Sequence, residues 1–225
     1  MNQDKLKQLQ TRINYSFNDV SLLKKALTHK SAGVHNNERL EFLGDSIVGF
    51  VVADLLFHHH PKDKEGTLTR RRANLVNGRA LAQMGKQFNL GDYLILGMGE
   101  MRSGGFRRES IIADCFEALV GAIYLDKGYV TCREKVNEWF AEAILQDAQT
   151  DVEKDAKTEL QEWLQSQKMS LPVYVMSDVR GLQHEQIFTI TLTVEGFDKR
   201  IETEGNSRRI AEQKAAKLFL EQVKK

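Results

Sequence analysis

The hydrophobic period of this chain changes once along its length, and this change constrains the fold more than any other feature. Up to about residue 145, apolar residues recur at helical spacing, as Leu68, Ala73 and Val76 do. Beyond residue 156, segments with two-residue alternation appear, and 185–194 is the clearest of them. Since 225 residues are enough for two units with separate cores, the sequence predicts two domains of different class.

The first domain, residues 1–148, is predicted to be all-helical. Its helices are expected at 2–12, 19–29, 38–58, 66–87, 108–126 and 129–147. Glycines between residues 91 and 105 mark a loop-rich stretch before the helix that begins at 108.

The second domain, residues 156–225, is predicted to follow a polar linker at 149–155. Its elements are expected as a helix at 156–168, strands at 172–179, 185–194 and 199–204, and a helix at 207–223. The order α-β-β-β-α predicts a small α+β domain, with two helices on one face of a three-stranded sheet.

The charge balance gives no general sign of a nucleic-acid partner and argues against a polybasic membrane-surface protein. Lys and Arg number 32 against 31 Asp and Glu, so there is no general excess of positive charge for nucleic acid or for a membrane surface. The N-terminus lacks the apolar segment of a secretory signal, and two cysteines are too few for a disulfide framework. We therefore expect a cytoplasmic protein without a membrane partner.

Three carboxylates share one face of the helix predicted at 38–58. At about 100° per residue, Glu38, Glu41 and Asp45 fall within a narrow arc. Like charges at this spacing repel each other, and the remainder of the helix is largely apolar. A divalent cation such as Mg²⁺, which prefers oxygen ligands, would compensate such a cluster.

A second acidic pair lies on the helix predicted at 108–126, where Asp114 and Glu117 are three residues apart. If the two helices pack together, these side chains meet Glu41 and Asp45 at one metal site suited to hydrolysis at phosphate. Acidic pairs also occur on solvated helix faces without any function, so both interpretations stay open here. A third helix carries basic side chains that are expected to meet phosphates, namely Arg70, Arg71 and Arg72.

Three segments together resemble the bacterial ribonuclease III family: ALTHKS at 26–31, NERLEFLGDS at 37–46 and the stretch 103–126. The α-β-β-β-α unit is similar to the double-stranded-RNA-binding domain of that family, so the resemblance covers essentially the whole chain. It implies an all-α endonuclease domain followed by a small α+β RNA-binding domain. The implied function is Mg²⁺-dependent cleavage of double-stranded RNA to 5′-phosphate and 3′-hydroxyl ends with short 3′ overhangs. The implied setting is the processing of rRNA, mRNA and other structured transcripts, with Mn²⁺ as a possible substitute metal.

The resemblance also assigns roles in the nuclease domain. The metal ligands are Glu41, Asp45, Asp114 and Glu117, of which hydrolysis depends most on Asp45 and Glu117. Glu38 and Glu65 match accessory acidic positions. Phe42 matches a position that packs into the partner of a homodimer, although its side chain taken alone is typical of an ordinary core residue.

Duplex RNA is recognised by its shape, through 2′-hydroxyls in the minor groove and through phosphates. The resemblance assigns the minor-groove role to the polar face of the helix at 156–168, which comprises Thr158, Gln161, Glu162 and Gln165, and to His184. The N-terminus of the last helix, a place that favours anions, carries Ser207, Arg208 and Arg209, with Lys214 nearby. Arg107 and Arg108 are expected to contact the RNA backbone. Glu212 stands where many such domains carry a basic residue, which predicts weaker RNA affinity for the isolated domain.

Two other functions compete with this one. The first is a duplex-RNA-binding regulator that does not cut, and the retained carboxylates argue against it. The second is a metal phosphohydrolase for small molecules, and the arginines of the last helix argue against that.

Overall fold

The computed structural model describes residues 2–149, 156–182, 185–198 and 200–223. The chain forms two compact units, Met1–Val152 and Glu153–Lys225. Except for residue 149, the predicted linker lies outside the described residues. Within the described ranges, none of the helices has the length and apolar character needed to cross a bilayer.

The first unit is all-helical, as predicted. Its helices are α1 (Gln3–Arg12), α2 (Val20–Ala26), α3 (Glu38–His59), α4 (Glu65–Leu75), α5 (Gly78–Gln87), α6 (Met98–Arg102) and α7 (Glu109–Gln149). Short 3₁₀ turns occur at Lys30–Ala32, Leu90–Tyr93 and Gly105–Arg107. Its core centres on α7, where Phe116, Leu119 and Ile123 have no exposed surface.

The single helix expected at 66–87 is in fact two helices, so that prediction was wrong. The chain leaves helical geometry between Leu75 and Gly78, and the side chain of Asn77 accepts a hydrogen bond of 3.0 Å from the Ala80 N–H. Asparagine favours such N-cap positions because its side chain satisfies a free N–H of the first turn. In α7, Gly128 has φ 77°, so the helix is interrupted between the two segments that the sequence predicts.

Asp126, near this interruption, anchors the N-terminal segment to α7. Its carboxylate accepts hydrogen bonds from the Tyr15 hydroxyl (2.7 Å) and from the N–H groups of Asn18 (3.0 Å) and Asp19 (2.9 Å). Burial alone would raise the pKa of Asp126, but these hydrogen bonds outweigh it and lower the pKa. The ionised carboxylate is therefore the form that the fold stabilises.

The second unit has the predicted order α-β-β-β-α. Its elements are α8 (Ala156–Ser166), β1 (Val173–Arg180), β2 (Ile187–Thr193), β3 (Ile201–Gly205) and α9 (Arg208–Val223). The strands form an antiparallel sheet in the order β1-β2-β3, in which Ile190 pairs with Met176 and Thr203. The buried residues Leu160, Leu192 and Phe219 join the helices and the sheet in one core.

Candidate active site and double-stranded RNA interface

Two glycines allow α3 and α7 to cross with their backbones in contact. A Cβ atom added to Gly44 would lie 1.8 Å from the carbonyl oxygen of Glu117, and one added to Gly121 would lie 2.3 Å from that of Leu40. Glycine inside a helix is less favourable than alanine by about 1 kcal/mol. The close approach of the two backbones explains why Gly44 and Gly121 nevertheless occur inside these helices. The crossing brings Glu41 on α3 beside Glu117 on α7.

Three of the predicted metal ligands come together at this crossing. One carboxylate oxygen each from Glu41, Asp114 and Glu117 lies within 4.8 Å of the other two. Asp45, the fourth predicted ligand, is exposed and is not a member of this group among the described residues. Its charge nevertheless raises the pKa of Glu117, so it acts on the same cluster.

The cluster is electrostatically strained in the absence of a cation. Burial, followed by the charges of Asp45, Asp114 and Glu41, raises the pKa of Glu117 to about 7. Burial and then the charge of Asp114 raise the pKa of Glu41, and burial raises that of Asp114 against the opposing charges of nearby basic side chains. Oxygen donors held together with raised pKa values fit a hard divalent cation, which would restore the ionised form of each carboxylate.

A lysine that sequence reasoning left without a role lies beside the cluster. The Lys30 ammonium is 3.7 Å from a carboxylate oxygen of Glu38. Its positive charge partly offsets the rise in the pKa values of Glu41 and Asp114. Its turn is held in place because Ser31 Oγ accepts a hydrogen bond of 2.9 Å from the Gly97 N–H. Two signals in the sequence pointed to it, namely its position shortly before an acidic helix and its place in the segment ALTHKS at 26–31.

One accessory acid and two basic residues of this unit contact neighbouring side chains. Glu65 is exposed at the start of α4, where it accepts a hydrogen bond of 2.9 Å from Thr69 Oγ1. Arg107 lies against the ring of Phe106, and Arg108 forms an ion pair of 2.9 Å with Glu100.

Arg71 does not face solvent, and its expected contact with phosphate was wrong. The residue is 7% exposed, and its guanidinium donates at 2.8 Å to the carboxylates of Asp63 and Asp147. It also donates at 2.8 Å to the carbonyl oxygen of Asp147. Arg71 therefore holds the last turns of α7 against α4.

Phe42 is 78% exposed, which excludes the alternative of an ordinary core residue. Phe50 and Phe57 lie eight and fifteen residues after Phe42 on the same side of α3, and they are 59% and 65% exposed. Large exposed aromatic side chains that share one helix face are typical of an interaction surface.

The polar face predicted on α8 exists. Its four members, Thr158, Gln161, Glu162 and Gln165, are exposed, while Leu160 and Leu164 on the opposite side are fully buried. His184, the other predicted minor-groove contact, lies outside the described residues.

The start of α9 presents the predicted cations. Ser207 Oγ accepts a hydrogen bond of 3.2 Å from the Ile210 N–H, which caps the helix. Arg208 and Arg209 are exposed in the first turn, and Lys214 donates a hydrogen bond of 2.9 Å to the carbonyl oxygen of Glu204. This surface is positively charged at a helix N-terminus, a combination that favours phosphate.

Comparisons with known proteins agree with both halves of this description. Residues 19–144 match the family described as Ribonuclease-III-like, and residues 156–223 match the double-stranded RNA binding motif. The chain is 51% identical to Ribonuclease 3 of Marinomonas sp. over 97% of this chain and 96% of that protein. It is 50% identical to Ribonuclease 3 of Photobacterium profundum over 96% of each.

A solved structure is similar to the first unit. The nuclease domain of ribonuclease III from Campylobacter jejuni matches with a TM-score of 0.60 and 40% identity, over 61% of this chain and 96% of that domain. The structure is described as showing flexibility in the region involved in dimer formation.

A helical domain with a carboxylate cluster, joined to a duplex-RNA-binding motif, defines an endonuclease for double-stranded RNA. The chain belongs to the ribonuclease III family.

Proposed function

We propose that this chain cleaves double-stranded RNA as a Mg²⁺-dependent homodimer. The observation that carries the proposal is the convergence of carboxylates from α3 and α7 within 4.8 Å, on a chain whose second unit matches an RNA-binding motif. A regulator that only binds RNA would keep this repulsive cluster without benefit. Glu41, Asp45, Asp114 and Glu117 are the proposed ligands.

Each side chain of the site has a distinct task. When bound, a divalent cation supplies positive charge at the phosphate and lowers the pKa of a coordinated water. Glu117, the most strained of the carboxylates, and Asp45 beside it are the residues on which hydrolysis is proposed to depend most. Glu38 and Glu65 are proposed to position the RNA as accessory acids. Mn²⁺, a related oxygen-preferring cation, is proposed as a substitute.

The proposed reaction is hydrolysis of a phosphodiester. The oxygen of a water forms a bond to phosphorus and the water gives up a proton, while the bond from phosphorus to the 3′-oxygen breaks and that oxygen takes up a proton. The products carry a 5′-phosphate and a 3′-hydroxyl. Two sites in a homodimer would each cut one strand and leave short 3′ overhangs.

The RNA contacts are proposed on both units. The polar face of α8, with His184, would face the minor groove, where 2′-hydroxyls both donate and accept hydrogen bonds. Arg208, Arg209 and Lys214 would contact phosphates beside the cap formed by Ser207, and Arg107 and Arg108 would contact the RNA backbone from the nuclease unit.

The exposed face of α3 supports the homodimer. Phe42 exposes most of its ring in the single chain, and an apolar surface of this kind is stabilised when a second copy covers it. The homologous nuclease domain from Campylobacter jejuni has a region involved in dimer formation. The proposal also includes a division into domains at 1–148 and 156–225 and a cytoplasmic location. The proposed role is the processing of rRNA, mRNA and other structured transcripts.

Cleavage of a duplex of about 30 base pairs, long enough for one RNA-binding domain, tests this function. We expect cleavage with Mg²⁺, none with EDTA, and none of single-stranded RNA or of DNA. Cleavage in EDTA, or its absence with Mg²⁺, would refute the proposal.

The site assignment has its own test in Glu117→Gln. Loss of one carboxylate of the cluster is expected to reduce cleavage at least about 100-fold while duplex binding stays near that of the wild type. Glu134→Gln, on an exposed position of the same helix, is the matched control and should cleave normally. Near-normal cleavage by the Glu117 variant would show that the site is elsewhere.

A further inference from the structure

Glu212 lies on α9 one turn after Arg208, at the surface proposed to bind phosphate. Its charge alone suggests that it repels RNA. The residue, however, is only 7% exposed. A buried carboxylate is stable only where cations and hydrogen-bond donors compensate the loss of water, so its partners decide what it does.

Both carboxylate oxygens of Glu212 have a cationic partner. Lys157 Nζ donates to Oε2 at 2.5 Å, and Arg208 Nε donates to Oε1 at 2.8 Å. Burial would raise the pKa of Glu212, but these two hydrogen bonds outweigh it and lower the pKa. Glu212 is therefore ionised and shared between α8 and α9.

The contact with Lys157 joins the two helices that are proposed to touch RNA. Lys157 lies in the first turn of α8 and directly precedes Thr158. Its backbone N–H donates to Gln213 Oε1 at 3.3 Å, and its ammonium lies 4.5 Å from the centre of the Tyr174 ring on β1. The N-terminus of α8 is thus tied to the first turns of α9 through side chains of both helices.

The contact with Arg208 restrains a side chain that stays open to solvent. Arg208 is 62% exposed, and the bond to Glu212 uses Nε, which leaves the two terminal nitrogens for another acceptor. An arginine held in this way has lost part of its rotamer freedom before a phosphate arrives. Because two cations share one carboxylate, the group as a whole keeps a positive charge.

We propose that Glu212 is a positioning residue for the recognition of duplex RNA, which orients Arg208 toward a phosphate and sets its place relative to the minor-groove face of α8. The inference rests on the proposed RNA-binding role of Arg208. The inference predicts that removal of the carboxylate weakens RNA binding. Simple charge repulsion predicts that the same change strengthens it.

The test measures the affinity of the full-length protein for an RNA duplex of about 30 base pairs in EDTA, by fluorescence anisotropy. Glu212→Gln keeps the shape of the side chain, but its single amide oxygen cannot accept hydrogen bonds from Lys157 and Arg208 as the two carboxylate oxygens do. The affinity for the RNA duplex should therefore weaken about three- to tenfold. Glu221→Gln makes the same charge change at the exposed far end of α9 and should leave affinity unchanged. Equal or tighter binding by the Glu212 variant would overturn the inference.

A double-mutant cycle separates positioning from a general loss of fold. If Glu212 acts through Arg208, the double variant Glu212→Gln/Arg208→Ala should bind within about twofold of Arg208→Ala alone. Losses that multiply instead would show that Glu212 acts independently, and the inference would fail.

Glu212→Asp provides a variant that keeps the charge. Its side chain is one methylene shorter, so it is expected to lose at least one of the two ion pairs and to weaken binding, whereas repulsion predicts no change. Unchanged affinity would count against the inference. If the wild-type protein itself does not bind the duplex, the proposed function fails as well; if it binds and only the Glu212 variants disagree, this inference alone is wrong.

Discussion

Single residues in this protein show that the same charge has different consequences in different surroundings. Glu117 gains no cationic hydrogen-bond partner among the described residues, so burial and its acidic neighbours raise its pKa to about 7. Glu212, which is more deeply buried, is paired with Lys157 and Arg208, and its pKa is lowered. A carboxylate left strained indicates a place for a cation from solution, and a satisfied one indicates an internal anchor.

The strain at Glu117 predicts a stability effect that depends on pH. A carboxyl group with a pKa near 7 in the fold and an ordinary value when unfolded destabilises the metal-free protein above pH 7, and this penalty vanishes below about pH 4.5. Glu117→Gln should therefore raise the free energy of unfolding in EDTA by about 1–2 kcal/mol at pH 8, after allowance for solvent screening of a half-buried group. The gain should shrink toward pH 5.

Urea unfolding at pH 5 and pH 8 measures this difference, with Glu134→Gln as the matched control on the same helix. Saturating Mg²⁺ should stabilise the wild type more than the Glu117 variant, because the cation removes the repulsion that the substitution has already removed. A variant no more stable than the wild type at pH 8 would show that the cluster is not strained.

At the level of elements, the crossing of α3 and α7 decides whether an active site exists. Each helix carries its carboxylates on one face. A single methyl group added at the contact would push the helices apart and separate the two sets of carboxylates. The backbone approach at Gly44 and Gly121 leaves no space for a side chain, since the nearest atoms are carbonyl oxygens that cannot rotate away. These glycines control the geometry of the site through backbone contacts, although they supply no ligand atom themselves.

Gly44→Ala tests this control. The added methyl group must push α7 away, so we expect a loss of about 1–3 kcal/mol in stability and a loss of cleavage that higher Mg²⁺ concentration rescues in part. Gly78→Ala, a helical position where an added Cβ meets open space, should fold and cleave normally. Titration of Mg²⁺ in the cleavage assay, together with urea unfolding, distinguishes the outcomes, and normal metal dependence of the Gly44 variant would contradict the role assigned to the crossing.

For the whole molecule, the aromatic face of α3 predicts how copies of the chain associate. Phe42→Ala removes a ring that is 78% exposed in the single chain, and if a partner buries it the dimer should weaken about tenfold or more. Leu145→Ala, at a position that is 59% exposed near the end of α7, is the matched control. Sedimentation at several protein concentrations measures both, and equal dimer affinities would remove Phe42 from the interface.

Much of this molecule follows from local sequence patterns. The change from helical to two-residue periodicity predicts both fold classes and the order α-β-β-β-α, because the period of a strand or a helix depends only on neighbouring residues. Likewise, the acidic face of α3 and the polar face of α8 depend on spacing within one element, and both were predictable to within a few residues.

Contacts between distant residues decided the remainder. No local pattern shows that Gly44 meets the backbone of Glu117, that Arg71 is buried by Asp63 and Asp147, or that Glu212 is neutralised by Lys157 from another helix. Even the exposure of Phe42, next to a core-forming stretch, depends on how α3 is rotated against α7. Local patterns therefore define most of the elements and the chemistry on each face. Which faces meet depends on the packing of the elements, because distance, burial and dielectric environment are properties of packed elements and not of a chain segment.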